Sequence, residues 1–166
     1  MLTHKRLLEI LSYNQNTGVF TWKLRVIRNQ WDKTWNTKHA GKITGYTRHN
    51  GYKVINISFK EYSCSRLAWF YVNGVWPKGE VDHINGKRAD NRIKNLREST
   101  RSENASNRSA QRNNTSGFKG VWKRKGLNIW VAEINNMKLG HFKTPEAASK
   151  AYAIAAKQYH KDFAKL

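Results

Sequence analysis

Residues 81–104 read VDHINGKRADNRIKNLRESTRSEN, and few stretches of the chain hold so much reactive polarity. Asp82 offers a hard anionic oxygen. His83 beside it titrates near neutrality when unperturbed, at about 6.5, and can take a proton. Asn91, Asn95 and Asn104 bring neutral amides, and Arg88, Arg92, Arg97 and Arg101 are interleaved with them. Acid, base, amide and guanidinium at close quarters suit hydrolysis of a phosphodiester with help from a divalent ion. Asp90-Asn91 is read as a turn.

Such a set works only if secondary structure holds it together. Leu7, Leu8, Ile10 and Leu11 fall on helical spacing behind Thr3, a good N-cap, and predict a short helix over 3–11, with a turn starting at Tyr13-Asn14. Residues 18–22 alternate apolar and polar and predict a strand. Residues 24–40 are polar without a period. Trp31 and Trp35 are read as plugging a small core under this loop, with base stacking as the alternative. Strands are expected over 41–46 and 52–59, joined by Asn50-Gly51 as a hairpin turn, with a third over 60–63. Arg66 to Val72 reads as a helix stopped by Asn73-Gly74. Trp76-Pro77 turns the chain into Val81 and the polar stretch.

The expected fold class is α+β: an N-terminal sheet-plus-helix scaffold over 1–80, a hairpin-and-helix motif over 81–107, a linker over 108–116, and a separate unit over 117–166. The linker is amide-rich and carries Arg108 and Arg112; it is read either as lying along a DNA backbone or in the minor groove, or as a solvated tether. In the last unit, three strand patterns over 118–123, 129–134 and 138–142 precede Thr144-Pro145-Glu146. That triplet gives a cap, a proline in the first turn and an early acid. The alanines that follow let a helix lie close against a three-stranded antiparallel sheet. Lys119, Trp122, Arg124, Trp130 and Lys138 are candidates for the opposite, solvent face, which could enter a major groove. His141 is read as packing or surface rather than as a ligand.

A net charge of +20 on 166 residues points to a polyanionic partner, nucleic acid before an anionic membrane surface. A passive neutralising protein would meet the charge requirement equally well. Seven Trp and seven Tyr argue against a disordered chain. Cys64 is the only cysteine, so an internal disulfide and a cysteine-rich zinc site are excluded, and a buried reduced thiol is expected. No apolar run approaches the ~18 residues of a membrane span. No secretory signal is read at the N-terminus, and a cytoplasmic protein is expected.

Asp82-His83, then Asn95-Leu96, then Asn104 have the spacing of the HNH endonucleases, the ββα-metal type found among phage homing and nicking enzymes, and this stretch resembles them. The third position of the motif is Asn104 here rather than a histidine, as in the phage branch. The upstream Arg66-Leu67-Ala68-Trp69 and Trp76-Pro77 add to the likeness, with Ser65 where many members have a histidine. The resemblance implies that Asp82 and Asn104 bind Mg²⁺ or Mn²⁺, with no zinc expected. It implies that His83 is the general base and that Asn95 orients its imidazole. Arg92, Arg97 and Arg101 are implied as phosphate clamps.

The C-terminal fifty residues resemble the DNA-binding domain of the plant ethylene-response factors (the AP2/ERF type). Gly117-Phe118-Lys119-Gly120-Val121, Trp130-Val131-Ala132-Glu133-Ile134, Leu139-Gly140-His141-Phe142 and Thr144-Pro145-Glu146-Ala147-Ala148 carry that likeness. Together the resemblances imply a homing-like, site-preferring endonuclease acting on double-stranded DNA in a phage-infected cell. One active site per chain would nick as a monomer or cut both strands as a homodimer. A non-catalytic, sequence-specific DNA-binding regulator on the same scaffold is the rival reading.

Overall fold

The computed structural model describes residues 2–107, 110 and 113–164. Arg108 and Arg112 lie outside the described residues. The chain is mixed α+β and divides into two compact units, Met1–Ser99 and Thr100–Leu166. The division falls inside the polar stretch, before its short helix.

The first unit begins with α1 (His4–Ile10), whose N-cap Thr3 accepts from Arg6 N. Its buried Leu7 and Ile10 lead into β1 (Leu11–Asn14), which pairs antiparallel with β2 (Val19–Trp22). The Asn14 side chain accepts from the amides of Asn16 and Thr17 and shapes the turn between them. Residues 24–40 are not an irregular loop: they include α2 (Gln30–His39). Its start, Asn29 capping Asp32 N, is a legible signal, but without apolar periodicity nothing in the sequence made a helix of it.

The strand expected over 41–46 is divided at Gly45, whose φ of +101° turns the chain between sheets. β3 (Ile43–Thr44) pairs with β2, whereas β4 (Tyr46–Thr47) pairs with β5 (Lys53–Ile57). Thr47 lies opposite Lys53, so the connection around Asn50-Gly51 is longer than two residues. The two-residue turn lies instead between β5 and β6 (Lys60–Ser63), where Ser58 and Phe59 both take positive φ. α3 (Cys64–Asn73) follows and ends on Gly74 in the left-handed region.

β7 (Glu80–His83) and β8 (Leu96–Ser99) form the last hairpin of this unit. Leu7, Leu11, Phe20, Ile55 and Leu67 are among the most deeply buried core side chains, and Leu96 brings β8 into the same core. Cys64 is buried there, which pushes its thiol up to about 12, so it stays protonated and inert.

The second unit starts with α4 (Arg101–Ser106). Thr100 and Glu103 form a reciprocal capping box at its start. β9 (Val121–Lys123), β10 (Trp130–Ile134) and β11 (Met137–Phe142) then make an antiparallel meander with β10 in the middle. α5 (Pro145–His160), capped by Thr144, packs across it. Ala148, Tyr152, Ala155 and Ala156 of α5 meet Val121, Ala132 and Ile134 of the sheet. The small residues permit this close contact. Gly120 enforces it, because a Cβ there would be driven into the Tyr152 ring.

Candidate active site

Two antiparallel strands fix the acid and the base. Asp82 faces Arg97 across the β7–β8 pair, and His83 faces Leu96. Asp82 and His83 are each 4% exposed, Asn91 1% and Asn95 6%. Burying that much polarity is costly unless the groups are bonded, and they are. Arg97 donates from both Nε (2.9 Å) and Nη2 (2.8 Å) to the same oxygen, Oδ2 of Asp82. His83 Nε2 lies 3.1 Å from Asn91 Oδ1. With the ring nitrogen donating to that amide oxygen, the basic lone pair is placed on Nδ1. The Tyr52 ring stands 5.9 Å from the imidazole, and the Arg88 guanidinium lies over that ring.

The imidazole partner corrects the sequence expectation. Asn95 does not hold His83. Its Oδ1 accepts from Asn85 N at 3.0 Å, and its Nδ2 donates to Asn85 Oδ1 (3.1 Å) and Asp90 O (2.8 Å). Asn95 therefore staples both ends of the loop between β7 and β8, and the imidazole is held by Asn91, which the sequence suggested only as a turn residue. The two amides differ by four residues in one polar run, and side-chain type alone could not separate their tasks.

The loop is fixed from outside as well. Tyr13 on β1 donates its hydroxyl to Asn91 O at 2.6 Å. Burial pushes that phenol up to about 12, so it keeps the proton it donates. Gly18, at the β1–β2 turn, lies against the same peptide: a Cβ there would sit 2.5 Å from Arg92 N. From α3, Arg66 donates to Gly79 O (2.8 Å) and Pro77 O (3.2 Å), and Glu98 accepts from Gly79 N. These bonds set the approach into β7. Ser65, buried on α3, shares a hydrogen bond with the Ser63 hydroxyl. Tyr13 and Gly18 are distant in sequence and had no signal in the motif.

The arginines are differently placed. Arg92 bonds Asp90 through Nε (2.7 Å) and Nη2 (2.5 Å). The paired guanidinium holds the Asp90 carboxyl well below the usual carboxylate range, and raises Arg92 in turn. Arg92 and Arg97 are thus each committed to an internal acid, and a phosphate would have to compete with those pairs. Arg101 is exposed at the start of α4, and Asn104 lies on the same short helix, in the second unit.

In the C-terminal sheet, Trp122, Arg124 and Lys138 are exposed. Trp122 Nε1 donates to Glu133 on the neighbouring strand, opposite Lys138. Trp130 is corrected: it packs against the core that α5 covers, not on the solvent face. Lys119 is half-buried and donates to Ser106 O, so it too is not a free point on the sheet face. His141 is exposed on β11, a surface position as expected.

Among the described residues no group of three His, Cys, Asp or Glu side chains is placed to hold a metal. Asp82 offers a hard carboxylate oxygen, oriented by Arg97. A hard carboxylate oxygen suits a divalent cation that keeps several waters.

Residues 62–106, which run from β6 through α4 and contain the buried pair, match the model of the HNH endonuclease family. The match covers 45 of the 166 residues. A relative of known sequence is Protein 3.8 of Escherichia phage T7, 38% identical over 64 residues, which are 38% of this chain and 53% of that protein. The chain thus spans about half the length of this relative. No solved structure matches. Among the described residues no helix is long and apolar enough to cross a membrane.

Proposed function

We propose that the chain is a metal-dependent DNA endonuclease in which His83 is the general base and Asp82 and Asn104 bind a divalent ion. The observation that carries this reading is the buried Asp82–His83 pair on one hairpin, with Nε2 of the imidazole bonded to Asn91, inside the stretch that matches HNH endonucleases. His83 Nδ1 takes the proton from a water as that water attacks phosphorus. Asn91 fixes the ring's rotation and tautomer, and Asn95 keeps the loop that carries Asn91 closed. Arg97 orients the Asp82 carboxylate. When bound, the ion stabilises the negative charge that builds on the phosphoryl and leaving oxygens. Asn104 is assigned as the second ligand on its sequence spacing from Asp82.

The homing-like, site-preferring character belongs to the same proposal, as does DNA reading by the C-terminal sheet through Trp122, Arg124 and Lys138. It is supported by the resemblance of residues 117–166 to the ethylene-response-factor family and by the exposed cationic and aromatic groups on that sheet.

Supercoiled plasmid tests the reading. The chain with Mg²⁺ should convert it to open circle, and chelator should stop the conversion. His83→Ala should lower the rate by about 10²–10⁴-fold while still binding the plasmid. Binding without metal-dependent nicking would leave only the regulator.

A further inference from the structure

The helix that sequence reasoning did not foresee has two unlike sides. One is anchored. The Asn36 side chain bonds both the amide and the carbonyl of Arg25, at 2.9 and 2.8 Å. The Arg25 guanidinium lies 3.5 Å above the Trp35 ring, and Trp35 meets Trp22 of β2 edge-on. Asp32, the only acid of α2, accepts from Arg28 N beside the cap.

The other side carries Gln30, Lys33, Thr34, Thr37 and Lys38. Their spacing of three, four, seven and eight places them in one stripe. All five are exposed, and they line a shallow concavity of about 370 Å³. The stripe contains no acid and no apolar side chain. Lys33 and Lys38 make no ion pair among the described residues. Trp31 borders it, largely exposed. An apolar partner would find little on the stripe to bury. The Thr34 and Thr37 hydroxyls donate to Gln30 O and Lys33 O and keep their oxygens as acceptors; with the Gln30 amide and the unpaired ammonium groups they are what base edges and phosphates bind. A helix about 10–12 Å across with its side chains matches a major groove about 12 Å wide.

We propose that the outward stripe of α2 is a duplex-DNA contact surface, with Lys33 and Lys38 on phosphates and Gln30, Thr34 and Thr37 towards base edges. It deepens the nuclease reading by adding a second contact surface on the first unit, and it rests on that reading only in taking duplex DNA as the partner.

The test uses the full chain carrying His83→Ala, so that DNA is bound but not cut. Binding of a labelled duplex from the host or phage genome is followed by anisotropy over a range of salt. Adding Lys33→Ala and Lys38→Ala should make the slope of log K against log salt shallower by about 1.8, at roughly 0.9 per phosphate contact. It should also weaken low-salt binding about tenfold. A control pair, Lys5→Ala with Lys60→Ala, should leave the slope in place. Thr34→Ala with Thr37→Ala should keep the slope but narrow the preference between duplex sequences. An unchanged slope in the Lys33/Lys38 variant overturns the inference, as does an equal loss in the control pair. Tighter binding of an RNA hairpin that is lost in the same variant also overturns it. If the His83→Ala chain binds no duplex at all, the nuclease reading falls with it. If the unsubstituted chain nicks plasmid and the slope is unmoved, only the role of α2 falls.

Discussion

The β7–β8 hairpin and the C-terminal sheet both carry polar side chains suited to nucleic acid, but they hold them in opposite ways. At the hairpin Asp82, His83, Asn91 and Asn95 are buried, and their hydrogen-bonding groups are tied to partners inside the protein. On the sheet Trp122, Arg124, Lys138 and His141 stand in solvent above a core made by other residues. Burial fixes orientation, which proton transfer requires. Exposure leaves cationic and aromatic groups able to adapt to a partner. Substitutions in the first region should therefore change stability and turnover together, and substitutions in the second should change binding alone.

The largest effect is expected at the Asp82–Arg97 pair. Arg97→Ala leaves a buried carboxylate without its guanidinium and should cost on the order of 3 kcal/mol, read as a lower urea midpoint at pH 7. Next comes the imidazole. Asn91→Ala should lower kcat about tenfold to a hundredfold and displace the acidic limb of the pH–rate profile, with KM nearly unchanged. A pure folding defect would lower the active fraction without moving that limb. Third is acid sensitivity. Asp90 has a folded pKa below its unfolded value of about 3.9, so its contribution is complete above that pH. The contribution is lost as pH falls through the lower folded value. Acid unfolding should steepen below about pH 4, and Asp90→Asn should flatten that limb. The smallest effect on the fold belongs to the sheet. Trp122→Ala should leave the thermal midpoint within about 2 °C and weaken duplex binding a few-fold in a gel-shift titration. A large loss of stability there would erase the contrast between the two regions.

Local patterns made much of the architecture legible. Thr3, Thr144-Pro145 and Asn73-Gly74 mark helix ends through capping chemistry that needs no tertiary context, and α1, α3 and α5 lie where these signals put them. Alternation placed β2 and the three C-terminal strands. What local patterns could not give was set by packing. Gly45 divides one apparent strand between two sheets because its neighbours pair with different partners. α2 is polar and is held by Asn36 and a stacked arginine rather than by an apolar stripe. Spacing singled out Asp82, His83 and Asn95, which lie on the β7–β8 hairpin and its loop, but not which asparagine meets the imidazole. That choice depends on the loop's path, which Tyr13 and Gly18 help to fix from some seventy residues upstream.

The contact of Tyr13 with the peptide of Asn91 also bears on how far the family-matched segment is portable. A fragment cut at the borders of the family match, 62–106, would lack both the phenol that braces the loop and the glycine that makes room for it. Grafting that segment into another host, or shuffling it between homologues, should yield a folded hairpin only when the first twenty residues travel with it.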